Sequence, residues 1–170
     1  QRLWELLQAY RPAAAKSHGR ASCPMNEVGL RRGLSEGIER LAYQPKVDLH
    51  SGALVGVEAL LRWRDRVHGD IPPDDVVDIA ERHHCIDELT LSVLRRAALD
   101  RSWFAEAGVA VNVAVNVSLL NLRNEEMVER FIDTVTVRGN TPSDFTLEIT
   151  ETHLVEDLAT VLEMLIRLHM

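Results

Sequence analysis

The segment Gly56-Val57-Glu58-Ala59-Leu60-Leu61-Arg62-Trp63 sets a carboxylate and a guanidinium four residues apart inside an otherwise apolar run. A strand buried on both faces reads as a nearly continuous series of Val, Ile and Leu. Burying an unpaired charge costs several kcal/mol, so an ionised group in such a strand requires a partner or a metal. Alternate strand residues share a face. Glu58, Leu60 and Arg62 therefore point one way, and Val57, Ala59 and Leu61 the other. A strand with an anion and a cation on its inward face serves chemistry or the binding of an anion.

Around this segment the pattern alternates strand and helix. Residues 1–10 place Leu3, Trp4, Leu7 and Tyr10 on one helical face, and 11–25 gather Pro, Gly, Ser and Ala without periodicity. Residues 1–25 are therefore expected to be a helix and linker from an upstream domain. Asn26 can cap a helix in which Leu30, Leu34 and Ile38 recur at every fourth position. Strands are expected over 41–49 and 53–63, joined as a hairpin across His50-Ser51-Gly52. A helix starts near Pro73 and another covers 86–107, followed by a strand over 109–118. A helix over 124–137 directs Val128, Phe131, Ile132 and Val135 inward; a strand over 146–150 and a last helix near 158–165 complete the run. Strands separated by helices of this length form parallel βαβ units.

Three of these strands share a polar parity. From 109 to 118 every odd residue is Val, whereas the even ones are Ala110, Asn112, Ala114, Asn116 and Ser118. One face suits packing against helices and the other a crowded barrel interior. Phe145, Leu147 and Ile149 repeat the apolar face, and Thr146, Glu148 and Thr150 the polar one. Glu58, Asn116 and Glu148 thus each fall near the carboxyl end of a strand, where α/β folds place their active sites. Two carboxylates and a carboxamide form an oxygen-only set that suits Mg²⁺ or Mn²⁺ rather than zinc. Arg62 can clamp a phosphate with its planar fork. Each residue also has a plainer explanation: Glu58 and Arg62 as a salt bridge, Asn116 or Ser118 as a helix cap, Glu148 and Glu151 as a solvated turn. Only their joint occurrence in successive βα units favours the metal.

The net charge of −7 over 170 residues argues against a DNA or RNA polymer as partner, because phosphate binding needs a basic surface. Cys23 and Cys85 form neither a metal-ligand spacing nor a disulfide framework. No apolar run approaches the length of a membrane span. Together these features read as a cytoplasmic protein.

The motifs Tyr43-Gln44-Pro45, Glu58-Ala59-Leu60-Leu61-Arg62-Trp63, Asn116-Val117-Ser118 and Glu148-Ile149-Thr150-Glu151 occur in this order and at these separations. Over about 28–170 the chain resembles the EAL-domain family of cyclic di-GMP phosphodiesterases. The resemblance implies an α/β fold, a modified TIM barrel with its first strand antiparallel to the rest, of which 26–170 would be the N-terminal half. It also implies hydrolysis of cyclic di-GMP to linear pGpG with Mg²⁺ or Mn²⁺, in bacterial second-messenger signalling. Glu58, Asn116 and Glu148 correspond by motif to metal ligands, and Gln44 and Arg62 to substrate contacts around the phosphate. Glu151 matches the residue that steadies the active-site and dimerisation loop, so a homodimer is expected, with a receiver or other sensory domain upstream. The family's Asp-Asp-Phe-Gly run, and the later Lys and Glu linked to water activation, would lie beyond Met170. The start at Gln1 and the stop at Met170 read as cuts. Either the remaining strands exist elsewhere or the piece is truncated and inactive. The alternative to an enzyme is an inactive module that binds the dinucleotide, or a protein partner, without turnover.

Overall fold

The structure is a computed structural model, and it describes residues 24–37, 40–124 and 126–149. The expected helices at 1–10 and 158–165 lie outside these residues, as do Ile38, Thr150 and Glu151. Asn26 caps helix α1 (Glu27–Glu36) as anticipated, its side chain accepting the Gly29 amide at 3.0 Å. Gly37 ends the helix with φ at 85°, a conformation glycine adopts without steric cost.

Strands β1 (Leu41–Val47) and β2 (Leu54–Leu61) pair antiparallel, with Gln44 opposite Glu58 and Leu41 opposite Leu61. Asp48 builds the turn between them. Its carboxylate accepts from the amides of His50 and Ser51 and from the Ser51 hydroxyl, and these bonds hold its pKa below the usual carboxylate range. The second strand was expected to run on to Trp63. Instead the sheet ladder stops at Leu61, and Trp63–Asp65 (β3) folds against Gly69–Ile71 (β4) as a separate small hairpin. Asp65 fastens that turn. Its carboxylate accepts from the backbone of Val67 and His68, both at 2.9 Å, and from Arg32 at 3.0 Å. Burial alone would raise its pKa, but these donors outweigh burial and lower it.

Helices α2 (Pro73–Arg82) and α3 (Ile86–Glu106) lead into β5 (Asn112–Val117), and α4 (Met127–Val135) into β6 (Phe145–Ile149). The sheet order is β1-β2-β5-β6, with β2, β5 and β6 parallel and β1 reversed. The odd-numbered face behaves as its parity requires. Val113 and Val115 are fully buried, and Val57, Ala59 and Val117 nearly so, against Val76 and Ile79 of α2, Leu94 of α3 and Phe131 of α4. Ile132 departs from expectation. It is 43% exposed, because Met127, Val128, Phe131 and Val135 already fill the inward stripe and Ile132 sits about 100° around the helix from Phe131. No described helix is long and apolar enough to cross a membrane.

Candidate functional site

The face of the sheet opposite these helices carries the even-numbered residues. In register, Gln44 lies beside Glu58, Glu58 beside Ala114, and Ala114 beside Thr146; one step along, Asn116 lies beside Glu148. Ala114 carries only a methyl group, which leaves room for Glu58 and Asn116 to meet diagonally. Asn116 donates from Nδ2 to Glu58 Oε1 at 2.8 Å, which turns its Oδ1 away from that carboxylate. Glu58, Asn116 and Glu148 therefore occupy one patch contributed by three adjacent strands, Asn116 and Glu148 at the carboxyl ends of theirs and Glu58 midway along β2. The sequence parity places them together, and the coordinates bring Glu58 and Asn116 into direct contact.

Lys46, a residue that sequence reading passed over, completes the patch. Its Nζ donates to Glu148 Oε1, forming an ion pair between the first and last strands of the sheet order. Lys46 is in register with Gly56, Gly56 with Asn112, and Glu148 with Asn116, four positions along β5. In a flat sheet the two would stand about 14 Å apart across three strand spacings and about 13 Å along the strands. Their contact requires the sheet to curl round its polar face, as a forming barrel does. The signal for Lys46 was available: it shares the even parity of Gln44 on β1.

Arg62 follows the last paired residue of β2 and anchors itself by donating from Nη1 to the Leu61 carbonyl at 2.8 Å. It lines a cavity of about 170 Å³ at the carboxyl ends of β2 and β5, where Thr90, Asn116 and Ser118 supply the polar wall and Leu60, Leu61 and Val77 part of the apolar one. Gln44 is exposed on the same face as Glu58 and free to meet a ligand there. Glu151 lies outside the described residues.

The loop after β5 is held by a second group that sequence reading missed. Asn121 is fully buried in a 3-10 turn (Leu119–Arg123); its Oδ1 accepts from the Ser118 amide and the Thr90 hydroxyl, each at 3.0 Å, and its Nδ2 donates to Asp87. This ties the end of β5 to the start of α3, two residues beyond Asn116. An Asn in a loop reads as a cap in sequence; only the fold reveals it as a buried hub.

The patch is oxygen-only, with two carboxylates and one carboxamide and neither His nor Cys. Among the described residues no group of three His, Cys, Asp or Glu side chains stands at metal-ligand spacing. The positive charge that the described residues do set against this patch is the Lys46 ammonium on Glu148.

Comparison with known proteins places these features in context. The EAL domain family model matches residues 28–170. An uncharacterized protein of Mycobacterium tuberculosis is 38% identical over 144 residues, which is 84% of this chain and 23% of that protein. The cyclic di-GMP phosphodiesterase RocR of Pseudomonas aeruginosa is 34% identical over 137 residues, 81% of this chain and 35% of RocR. The solved structure of the PaMucR phosphodiesterase in complex with c-di-GMP superposes with a TM-score of 0.71 at 32% identity, covering 82% of this chain and 59% of that one. The chain thus spans between about a quarter and a third of these curated relatives' length.

Proposed function

This chain belongs to the EAL-domain family, and we propose from that footing that it supplies one half of the barrel of a cyclic di-GMP phosphodiesterase that yields linear pGpG. Hydrolysis adds water across one P–O bond of the cyclic dinucleotide and leaves a phosphate on one sugar and a free hydroxyl on the other. The observation that carries the reading is the shared patch of Glu58, Asn116 and Glu148, with the Asn116–Glu58 bond at 2.8 Å, at the strand ends where such barrels work.

In this reading Glu58, the Asn116 carboxamide oxygen and Glu148 would hold Mg²⁺ or Mn²⁺. Such an ion, when bound, acidifies water and offsets charge on phosphoryl oxygens. The chain's own residues do the rest of the positioning. Asn116 fixes the Glu58 carboxylate through its amide N–H and keeps its oxygen for the cation. Arg62, tethered to the Leu61 carbonyl at the mouth of the cavity, offers further guanidinium N–H groups to a phosphate. Gln44, beside Glu58, supplies a neutral donor and acceptor to the same ligand. Glu151 would brace the adjoining loop and the interface of a homodimer, with a sensory domain preceding residue 26 as the source of control.

Incubation of the full-length protein with cyclic di-GMP and Mg²⁺ or Mn²⁺, with products separated by chromatography, tests this. pGpG is expected, and Glu58→Ala should lower its rate of formation by at least about 100-fold, the scale lost when a charge-stabilising group is removed. No pGpG with either metal would end the proposal, and tight binding without turnover would instead identify a receptor.

A further inference from the structure

The Lys46–Glu148 ion pair joins the two ends of the sheet order over a separation of 102 residues. Both side chains are about one-third exposed, at 36% and 37%, so the pair lies at the open surface of the patch and not beneath it. Lys46 is held there by strand geometry: it pairs with Gly56, Val47 beyond it pairs with Leu54, and the register shifts between the two. The side chain therefore leaves the sheet at an irregularity, on the same face as Gln44 and Glu58. An ammonium is a compact point charge with three donors on a flexible stem, able to occupy one carboxylate oxygen and to leave it again.

We propose that Lys46 is a built-in competitor for the cation site: its ammonium and a divalent ion exclude one another from Glu148, so that metal binding must displace the lysine. The inference rests on the metal reading of Glu58, Asn116 and Glu148. Two like charges on one carboxylate repel, and the Lys46 ammonium already sits on Glu148 Oε1. Displacement releases a side-chain link between β1 and β6, so occupancy of the site is coupled to how tightly the first strand is drawn toward the last. Lys46 thereby acts as a positioning residue that sets the threshold of metal required, while taking no part in bond breaking.

The test is Mn²⁺ binding to the full-length protein, followed by titration calorimetry and by the loss of the free-ion paramagnetic signal. Lys46→Met, which keeps the apolar stem, and Lys46→Gln are compared with Lys46→Arg, which keeps the charge. Both neutral variants are expected to bind Mn²⁺ about three- to fivefold more tightly, the size expected from releasing a partly exposed ion pair, with Lys46→Arg close to the parent. Unchanged or weaker binding by the neutral variants, with binding intact in the parent, overturns the competitor role and makes Lys46 a support for Glu148. Absence of Mn²⁺ binding in parent and variants alike overturns the metal reading and this inference together.

Discussion

Glu58 is oriented by a single amide hydrogen bond, and that bond exists because Asn116 stands diagonal to it across the methyl-sized Ala114. A site of this kind depends on small residues as much as on charged ones. Gly33 makes the same point away from the patch. In an exposed helix, alanine in place of glycine stabilises by about 1 kcal/mol. Here a Cβ on Gly33 would stand 2.3 Å from Cζ2 of Trp63, and Trp63 is buried at 6% exposure with no room to retreat. Overpacking of this kind costs about 1–3 kcal/mol and outweighs the propensity gain. Gly33→Ala is therefore expected to lower the midpoint of urea unfolding, and an unchanged or raised midpoint would show that α1 slides off the indole at little cost.

Among the elements, β5 and the turn after it are the pair on which the site's precision rests. Asn121 satisfies the Ser118 amide, the Thr90 hydroxyl and one Asp87 oxygen at once. Asn121→Ala leaves the first two without their acceptor inside the protein, an expected loss of about 2–3 kcal/mol in chemical denaturation. The same variant should weaken turnover, since Asn116 lies two residues before the loosened end. Stability loss with unaltered turnover would separate the hub from the site. The strands themselves were legible in advance because period two is hard to counterfeit: Val113, Val115 and Val117 inward and Asn116 outward follow from alternation alone. The β3–β4 hairpin was not, because Arg62 and Trp63 continue the alternation of β2, and the break is imposed by Asp65 capturing Val67 and His68. The 3-10 turn at Leu119–Arg123 was hidden for a related reason. Its leucines at 119, 120 and 122 fit the start of a helix, and only the burial of Asn121 distinguishes it. Likewise Lys46 was invisible as a partner of Glu148, since reaching it requires the curl of the sheet and not a local pattern.

At the scale of the molecule, the described sheet has four strands with β1 and β6 at its two margins, each paired on one side only. A curled sheet with both margins unpaired presents backbone donors and acceptors to any passing strand. A polypeptide limited to residues 26–170 is expected to aggregate or to melt without cooperativity, and scanning calorimetry with light scattering checks this. A sharp, reversible transition from a monomer would show that the ion pair across the curl and the helices around it suffice for an autonomous unit.

The reversal of β1 has a further effect. Leu41, the residue at which the backbone joins the sheet, stands opposite Leu61, immediately before Arg62. In a barrel of uniformly parallel strands the polypeptide would arrive at the floor, a full strand length from the reactive rim. Here it arrives at the mouth, directly after the helix that rests on Trp63. A pull or twist delivered from the amino-terminal side is thereby felt first beside Arg62 at the mouth of the cavity, which makes the doorway, and not the foundation, the natural lever for control.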